Sequence, residues 1–244
     1  ELSVPICFTC SFGIYPRLTE QIYAFVQNCG CTMLLGTNES TETESKTEYF
    51  NSAVCVNPDL TLSFYYKTHL VPFGEYTPYK FIFGFLTNFT HAIGELTPGR
   101  ELRLHKMNGF SFGSPICYEI IFPALVRQFT RRGAEFLVTI TNDGWYGTSA
   151  TPYQHFAIPV IRAVENRRFL LRAATTGISG IISPTGRIIA KSRLNTSVFL
   201  TAPVSCRGKQ TFYVRYGDWP AYISLTITGV FLILLLLSSS RNPE

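Results

Sequence analysis

Charged side chains are scarce in this sequence. Asp, Glu, Lys and Arg make up 15% of its 244 residues, whereas about 25% is usual in a soluble domain. The net charge of +5 is modest, and no run of Lys or Arg is longer than two residues. Because a nucleic-acid interface needs a clustered basic stripe, we expect no nucleic-acid partner. The low charge instead favours contact of the surface with lipid or with a partner protein.

The sequence also lacks the pattern of a metal centre or of a complete disulfide framework. It has seven cysteines, and an odd number cannot all pair. The four histidines are scattered, and none stands at zinc-ligand spacing from the Cys7-x-x-Cys10 and Cys29-x-Cys31 pairs. We therefore predict no metal site and no cofactor. Whether these four cysteines pack in the core or form an incidental disulfide is left open by the sequence.

A chain of this length can build one α/β domain with a well-buried core. Helical periodicity predicts helices over 17–28, 123–132 and about 152–168. Apolar runs and alternation predict strands near 32–36, 49–57, 61–67, 135–141, 170–174, 177–183, 187–190 and 197–204. A polar loop is expected at 37–47 and a tight turn at 57–60. Strands that alternate with helices in this way are typical of a layered α/β fold.

The end of the sequence differs from the rest. No charged side chain occurs between Asp218 and Arg241, and Ala221 to Leu237 is almost wholly apolar. These 17 residues meet the lower limit of about 17 for a membrane-spanning helix. Trp219 lies where an interfacial aromatic residue is expected. The pattern predicts one transmembrane helix, whose direction the few flanking Lys and Arg residues do not determine.

A second apolar segment, Tyr79 to Gly94, has four phenylalanines among its residues. Two interpretations remain open. The segment could form a helix or strand of the core, since short apolar runs are ambiguous. It could also form an exposed apolar arm that covers a cleft and dips into lipid.

Cys117 ends an apolar, strand-like run that begins at Phe110, and a helical pattern follows it. A strand that passes directly into a helix holds the residue at the junction at a sheet edge that faces a cleft. An isolated cysteine is usually a small buried hydrophobic residue, so the hypothesis of a nucleophile depends on its partners. Glu119 follows two residues later, Lys67 closes an earlier strand-like run, and Glu75 stands eight residues after that lysine.

These residues carry a family resemblance. Glu1 with Pro5, Lys67 with the segment 69–76 (HLVPFGEY), and the segment 117–119 (CYE) follow the order and spacing of the Glu-Lys-Cys triad of the nitrilase, or carbon-nitrogen hydrolase, superfamily. Within it the chain most resembles the apolipoprotein N-acyltransferases, over nearly its whole length.

The resemblance implies a nitrilase-like four-layer αββα sandwich over residues 1–215. A transmembrane helix with a short tail would follow over 216–244. Members of the resembled family carry several membrane helices before the position of Glu1. The sequence, which starts without Met, is therefore expected to be a fragment.

The resemblance and the chemistry together assign the catalytic roles. A thiol with an ordinary pKa near 8.5 needs a base or a positive field to react at neutral pH. Glu1 is the expected general base, Cys117 the nucleophile that forms a thioester, and Lys67 the cation that stabilises the oxyanion.

Five further residues are assigned to the site. Glu75 is expected to keep the lysine protonated and oriented, and Glu119 to act beside the nucleophile, although either could be a structural carboxylate. Tyr118, Trp145 and Tyr146 are expected to line the substrate pocket, with core packing as the alternative.

The function implied by the resemblance is N-acyl transfer at the periplasmic face of the bacterial inner membrane. A phospholipid would donate an acyl chain to the cysteine. The N-terminal amine of the S-diacylglyceryl-cysteine of a lipoprotein would receive it. One alternative is a membrane-tethered amidase or nitrilase-type hydrolase that passes the acyl group to water. The other is an inactive module that binds lipid or lipoprotein.

Overall fold

The computed structural model describes residues 6–7, 16–42, 46–78 and 95–239. Their strands are β1 (Ile6–Cys7), β2 (Met33–Glu42), β3 (Thr47–Val56), β4 (Leu62–Tyr66), β5 (His105–Met107), β6 (Phe110–Gly113), β7 (Phe136–Thr141), β8 (Leu170–Ala174), β9 (Gly180–Ile182) and β10 (Ile188–Lys191). Their α-helices are α1 (Pro16–Cys29), α2 (Pro123–Arg131), α3 (Thr151–Asn166), α4 (Phe212–Tyr216) and α5 (Trp219–Ser239), and two 3₁₀ turns cover Cys117–Ile121 and Gly144–Tyr146.

The strands form two sheets. The first has four strands in the order β1-β2-β3-β4, and the second has six in the order β10-β9-β8-β7-β6-β5. In the second sheet β6, β7 and β8 are parallel neighbours, while β5, β9 and β10 run antiparallel to their partners. The three parallel strands therefore end at one common edge.

The two sheets pack face to face, with helices on both outer sides. On β3, Ala53 and Cys55 belong to the core between the sheets, whereas Val54 and Val56 pack with Ile22 and Val26 of α1. This is the side-chain alternation of a strand buried on both faces. Core residues of α2 and α3, among them Phe129 and Ala163, pack on the second sheet. The αββα arrangement expected from the resemblance is confirmed.

His105 lies between the two sheets and is fully buried. Its Nδ1 lies 2.7 Å from Oγ of Ser63 on β4, and its Nε2 lies 2.8 Å from Oγ of Ser114. Burial lowers the pKa of His105 to about 3, because removal of water disfavours the charged imidazolium. The two serines therefore hold a neutral imidazole that joins the sheets.

Two predictions from the sequence are wrong. Residues 37–42 of the predicted polar loop are strand, because β2 continues to Glu42, which pairs with Thr47 of β3. Its polar side chains suit a hairpin whose outer part faces solvent. The strand predicted at 197–204 is absent. Val198 and Phe199 are both exposed, and although Val204 packs against the core, the segment forms no strand pairing.

The other predicted elements are present with small shifts of their ends. β1 and β5 were not predicted, because strands of two and three residues are too short to show a hydrophobic alternation. The turn at 57–60 is confirmed, since the N–H of Leu60 donates to the carbonyl of Asn57 at 2.8 Å.

α5 extends the apolar stretch found in the sequence to 21 residues. Its segment Trp219–Leu237 has a mean hydropathy of 2.2 and is long and apolar enough, by length and composition, to cross a bilayer. None of that segment is buried against the rest of the chain. The preceding α4 is held to the domain, because Arg127 of α2 donates to the carbonyl of the buried Val214 at 3.0 Å.

Cys29 and Cys31 form a disulfide. The segments of the chain that are described contain no group of three metal-ligating side chains. Glu1, the side chains of Cys7 and Cys10, and the aromatic segment 79–94 lie outside the described residues.

Candidate active site

The parallel strands of the second sheet bring several of the predicted residues to one edge. The carboxyl end of β6 leads to Cys117, and the carboxyl end of β7 leads to the loop that contains Trp145 and Tyr146. An isolated parallel bridge between Ile116 and Ile140 extends the pairing of these two strands up to the cysteine. The carboxyl edge of parallel strands is where α/β proteins usually bind ligands.

Cys117 occupies a sharp turn. Its φ angle is 49°, in the left-handed region, and it opens the 3₁₀ turn Cys117–Ile121. A non-glycine residue held there costs about 1–3 kcal/mol, and such residues cluster at functional sites. The backbone N–H before the cysteine, that of Ile116, donates to Oε2 of Glu119 at 2.8 Å. The turn is therefore fixed by the carboxylate that follows the thiol.

Glu119 is fully buried and also reaches across to the segment that follows β4. Its Oε1 accepts hydrogen bonds from the backbone N–H of Thr68 at 2.7 Å, the backbone N–H of His69 at 3.1 Å, the hydroxyl of Thr68 at 2.9 Å and the hydroxyl of Tyr65 at 2.8 Å. Burial and the charge of this carboxylate raise the pKa of Tyr65, so the phenol remains a donor. One carboxylate therefore joins the turn of Cys117 to the residues directly after Lys67.

Lys67 and Glu75 form a close ion pair. Nζ of Lys67 lies 2.8 Å from both carboxylate oxygens, and the lysine side chain is fully buried while that of Glu75 is 14% exposed. The carboxylate also accepts the side-chain amide of Asn51 at 2.9 Å and the N–H of Val71 at 2.7 Å. Asn51 lies on β3, and nothing in the sequence pattern marked it as part of the site.

Close backbone packing holds the lysine in place. The N–H of Lys67 donates to the carbonyl of Asn51, and the N–H of Gly99 donates to the carbonyl of Lys67, each at 2.8 Å. A Cβ atom at position 99 would lie 2.2 Å from the carbonyl oxygen of Tyr66. Only glycine fits there, so this approach to the strand end depends on Gly99.

The three aromatic residues predicted to line the pocket differ in exposure. Trp145 is 74% exposed, which excludes the alternative of core packing for this side chain. Tyr146 is half-buried, and its pKa is raised by burial and then by the negative charges of Cys117, Asp143 and Tyr118. Tyr118 is half-buried and packs edge-on against Phe122 with 5.1 Å between ring centroids. Tyr146 therefore lies within electrostatic range of the thiol.

A buried charged cluster beside these aromatic residues was missed from the sequence. Oδ2 of Asp143 lies 2.6 Å from Nη2 of Arg172, and Oδ1 of Asp143 lies 2.9 Å from Nδ1 of His155. Burial would raise the pKa of Asp143, but the hydrogen bond from His155 and the charge of Arg172 lower it below the usual value. A Cβ at Gly177 would lie 2.1 Å from the carboxylate. The signal that could have found the cluster is an arginine inside the otherwise apolar strand β8.

The described geometry therefore connects four of the eight predicted residues. Lys67 and Glu75 contact each other directly, and Glu119 links the segment after them to the turn of Cys117. Glu1, the predicted base, lies outside the described residues.

Comparison with known proteins gives three kinds of match. The family model described as carbon-nitrogen hydrolase matches residues 15–207. An apolipoprotein N-acyltransferase of Geobacter metallireducens is 36% identical over 230 residues, covering 94% of this chain and 44% of the relative. Another from Chlorobaculum tepidum is 37% identical over 195 residues, covering 76% of this chain and 36% of that relative. This chain thus spans less than half the length of these curated relatives.

Among solved structures, a carbon-nitrogen hydrolase from Helicobacter pylori superposes with a TM-score of 0.56. It is 17% identical in sequence, and the match covers 77% of this chain and 73% of that one. At this identity the similarity is one of fold.

Proposed function

The chain belongs to the carbon-nitrogen hydrolase family, and we propose that it is the catalytic part of an N-acyltransferase that acts at a membrane. The acyl donor is a phospholipid, and the acceptor is the N-terminal amine of the S-diacylglyceryl-cysteine of a lipoprotein. The names of the curated relatives support this substrate class.

One observation carries the proposal. A buried Lys67–Glu75 pair and the strained turn of Cys117 are tied together by Glu119. A fixed cation beside a thiol is what acyl transfer requires, because negative charge develops on the carbonyl oxygen as sulfur attacks. Glu75 holds the ammonium group in place through both carboxylate oxygens.

The reaction has two half-reactions. In the first, the sulfur of Cys117 attacks the ester carbonyl of the phospholipid, the C–S bond forms, the C–O bond breaks, and the departing alkoxide takes a proton. In the second, the amine attacks the thioester carbonyl, the C–N bond forms, the C–S bond breaks, and the thiol is restored. Glu1 takes the thiol proton and passes it to the departing alkoxide, and it later takes the amine proton and returns it to the sulfur. Lys67 stabilises the oxyanion in both.

The membrane setting favours an amine over water as the acceptor. α5 presents an unburied apolar surface along the segment Trp219–Leu237, and insertion in a bilayer removes that surface from water. The site on the attached domain is then close to acyl chains and partly shielded from water, which slows hydrolysis of a thioester.

Residues 1–215 form the catalytic domain and 216–244 the membrane anchor with its tail. The catalytic domain faces the periplasm of the bacterial inner membrane, where lipoprotein acceptors are available. Tyr118, Trp145 and Tyr146 line the entry to the thiol, and the exposure of Trp145 suits contact with a lipid chain.

The test is intact-mass measurement of the detergent-solubilised chain after incubation with phospholipid. We expect a mass gain of one acyl chain that hydroxylamine removes, absent in Cys117→Ala and present in Cys206→Ala. Cys206 is a suitable control because it is another half-buried free thiol.

Addition of a diacylated lipopeptide should discharge the adduct and yield triacylated peptide. Discharge at the same rate with and without the lipopeptide would identify a hydrolase instead. A well-folded protein that forms no adduct would identify a binding module.

A further inference from the structure

Asp143, His155 and Arg172 form a buried charged cluster that no step of the reaction above uses. Arg172 is 3% exposed and Asp143 is 1% exposed. Burial of charges is costly unless they are paired, so the presence of this cluster at the edge that carries Cys117 needs a reason.

Strand register places the cluster close to the nucleophile. Ile116, which precedes Cys117, is bridged to Ile140 of β7, and Ile140 pairs with Ala173 of β8. Arg172 is the neighbour of Ala173 on β8. Cys117 therefore lies one residue beyond this row and Arg172 lies one residue before it, two strands apart in the second sheet.

Contacts on two sides fix the guanidinium. Nη2 of Arg172 lies 2.6 Å from Oδ2 of Asp143, and Nε donates to the carbonyl of Ile178 at 3.1 Å. Asp143 is itself held by the hydroxyl of Thr141 at 3.1 Å and by His155 at 2.9 Å. The remaining nitrogen, Nη1, is buried and has no hydrogen-bond partner within the described ranges. An unsatisfied buried donor on a fixed cation is unusual in a purely structural ion pair.

We propose that Arg172 is a positioning residue for Cys117, whose guanidinium, held by Asp143, supplies fixed positive charge beside the thiol and favours the thiolate. The proposal rests on the proposed function of Cys117 as nucleophile. Burial lowers the pKa of Arg172, while the charges of Asp143 and then Cys117 raise it, so the guanidinium lies within electrostatic range of Cys117.

None of the other titratable groups named for the site supplies an unengaged positive charge to the thiol. Glu119 is saturated by donors, and Lys67 shares its charge with both oxygens of Glu75. Tyr146 has a raised pKa and is neutral at pH 7, and Tyr118 is a phenol on the turn of the cysteine itself. Arg172 uses Nη2 for both Asp143 and Nδ1 of His155, the latter at 3.2 Å, and keeps Nη1 unengaged.

The experiment measures the rate of iodoacetamide alkylation of Cys117 against pH in the full detergent-solubilised chain, read at the Cys117 peptide by mass spectrometry. We expect Arg172→Met to slow alkylation at pH 7 about tenfold. The pH at which the rate is half its maximum, called the midpoint below, should rise by about one pH unit. Arg172→Lys, which keeps the charge, should restore most of the rate. Asp143→Asn should lower the midpoint, since the guanidinium charge is then no longer compensated.

Arg168→Met is the matched control. Arg168 is another arginine at 1% exposure, but its partners are the carbonyls of Ala134 at 2.7 Å and Lys209 at 2.8 Å. Its loss should weaken folding and leave the midpoint of Cys117 unchanged.

An unmoved midpoint in folded Arg172→Met, or an equal shift in Arg168→Met, would overturn the proposal. If Arg172→Met does not fold, an unmoved midpoint in Asp143→Asn would do the same. Failure of the proposed function gives a different result from failure of this proposal. Wild-type Cys117 would then alkylate with the midpoint of an ordinary thiol and form no acyl adduct.

Discussion

The carboxylate of Glu119 accepts the backbone N–H of Thr68 at 2.7 Å, and this bond joins two segments that are 51 residues apart in the chain. The same carboxylate accepts the N–H before Cys117 at 2.8 Å. Glu119 thus holds the turn of Cys117 against the segment that follows Lys67. The distance between the cation and the thiol depends on a residue that is already occupied by five donors.

Glu119→Gln should therefore lower stability and activity together. Glutamine offers one acceptor oxygen and places an NH₂ group against an N–H donor, which leaves buried donors unpaired. We expect a loss of roughly 2–4 kcal/mol of unfolding free energy and, because the site shifts, acylation of Cys117 slower by about 10². Denaturant unfolding and the intact-mass assay measure the two effects. Glu101→Gln, in an exposed pair with Arg103, is the control that should change neither. A stable Glu119→Gln protein that acylates normally would contradict this assignment.

Lys67→Met should abolish oxyanion stabilisation and leave Glu75 without its cation. Loss of one oxyanion donor commonly slows catalysis by about 10²–10³, and one unpaired partner of a buried ion pair costs roughly 3–5 kcal/mol. Single-turnover acylation and unfolding measure these losses. Lys46→Met is the matched control, because Lys46 makes a pair of the same 2.8 Å length with Glu48 but is 63% exposed. Similar acylation rates in the two variants would exclude Lys67 as the oxyanion donor.

The stability of the chain should fall in mild acid through His105. The folded pKa of His105 is about 3, below the usual value near 6.5 of an unfolded histidine. Below pH 6.5 the unfolded chain therefore binds a proton that the folded chain does not, and stability is lost as pH falls towards 3. From pH 6.5 to 4.5 this one group removes about 2–3 kcal/mol.

Unfolding of wild type and His105→Asn at several pH values isolates this contribution from that of the carboxyl groups. The variant should be less stable at pH 7 and show a weaker dependence on pH in this range. If the unfolding free energies of the two proteins fall equally with pH, His105 is not the neutral group that joins the sheets.

Leu232→Arg should release the chain from the membrane. Leu232 lies within the apolar segment of α5, and an arginine at the centre of a spanning helix costs about 2.5–3.5 kcal/mol on insertion scales. Extraction of membranes with alkaline carbonate should release this variant and retain wild type. Ile189→Arg, at an exposed apolar position on β10, should stay in the membrane fraction. Retention of Leu232→Arg would show that α5 is not the anchor.

Much of the fold could be predicted from local pattern. The periods of α1 and of the helix after Cys117 are strong because one face of each is buried, and their ends agree with the structure to within a residue or two. The polar half of the β2–β3 hairpin could not be read in this way, since its strand conformation comes from backbone pairing and its side chains face solvent.

By itself the sequence determined the order and spacing of Lys67, Glu75, Cys117 and Glu119 and the apolar stretch that becomes α5, because these are properties of composition and local period. Tertiary structure alone decided that Glu119 bridges the segments of Lys67 and Cys117, that Asn51 contacts Glu75, and that Arg172 meets Asp143. Each of these contacts joins residues more than twenty positions apart, and it exists only because the strands that carry them end at neighbouring places in the sandwich.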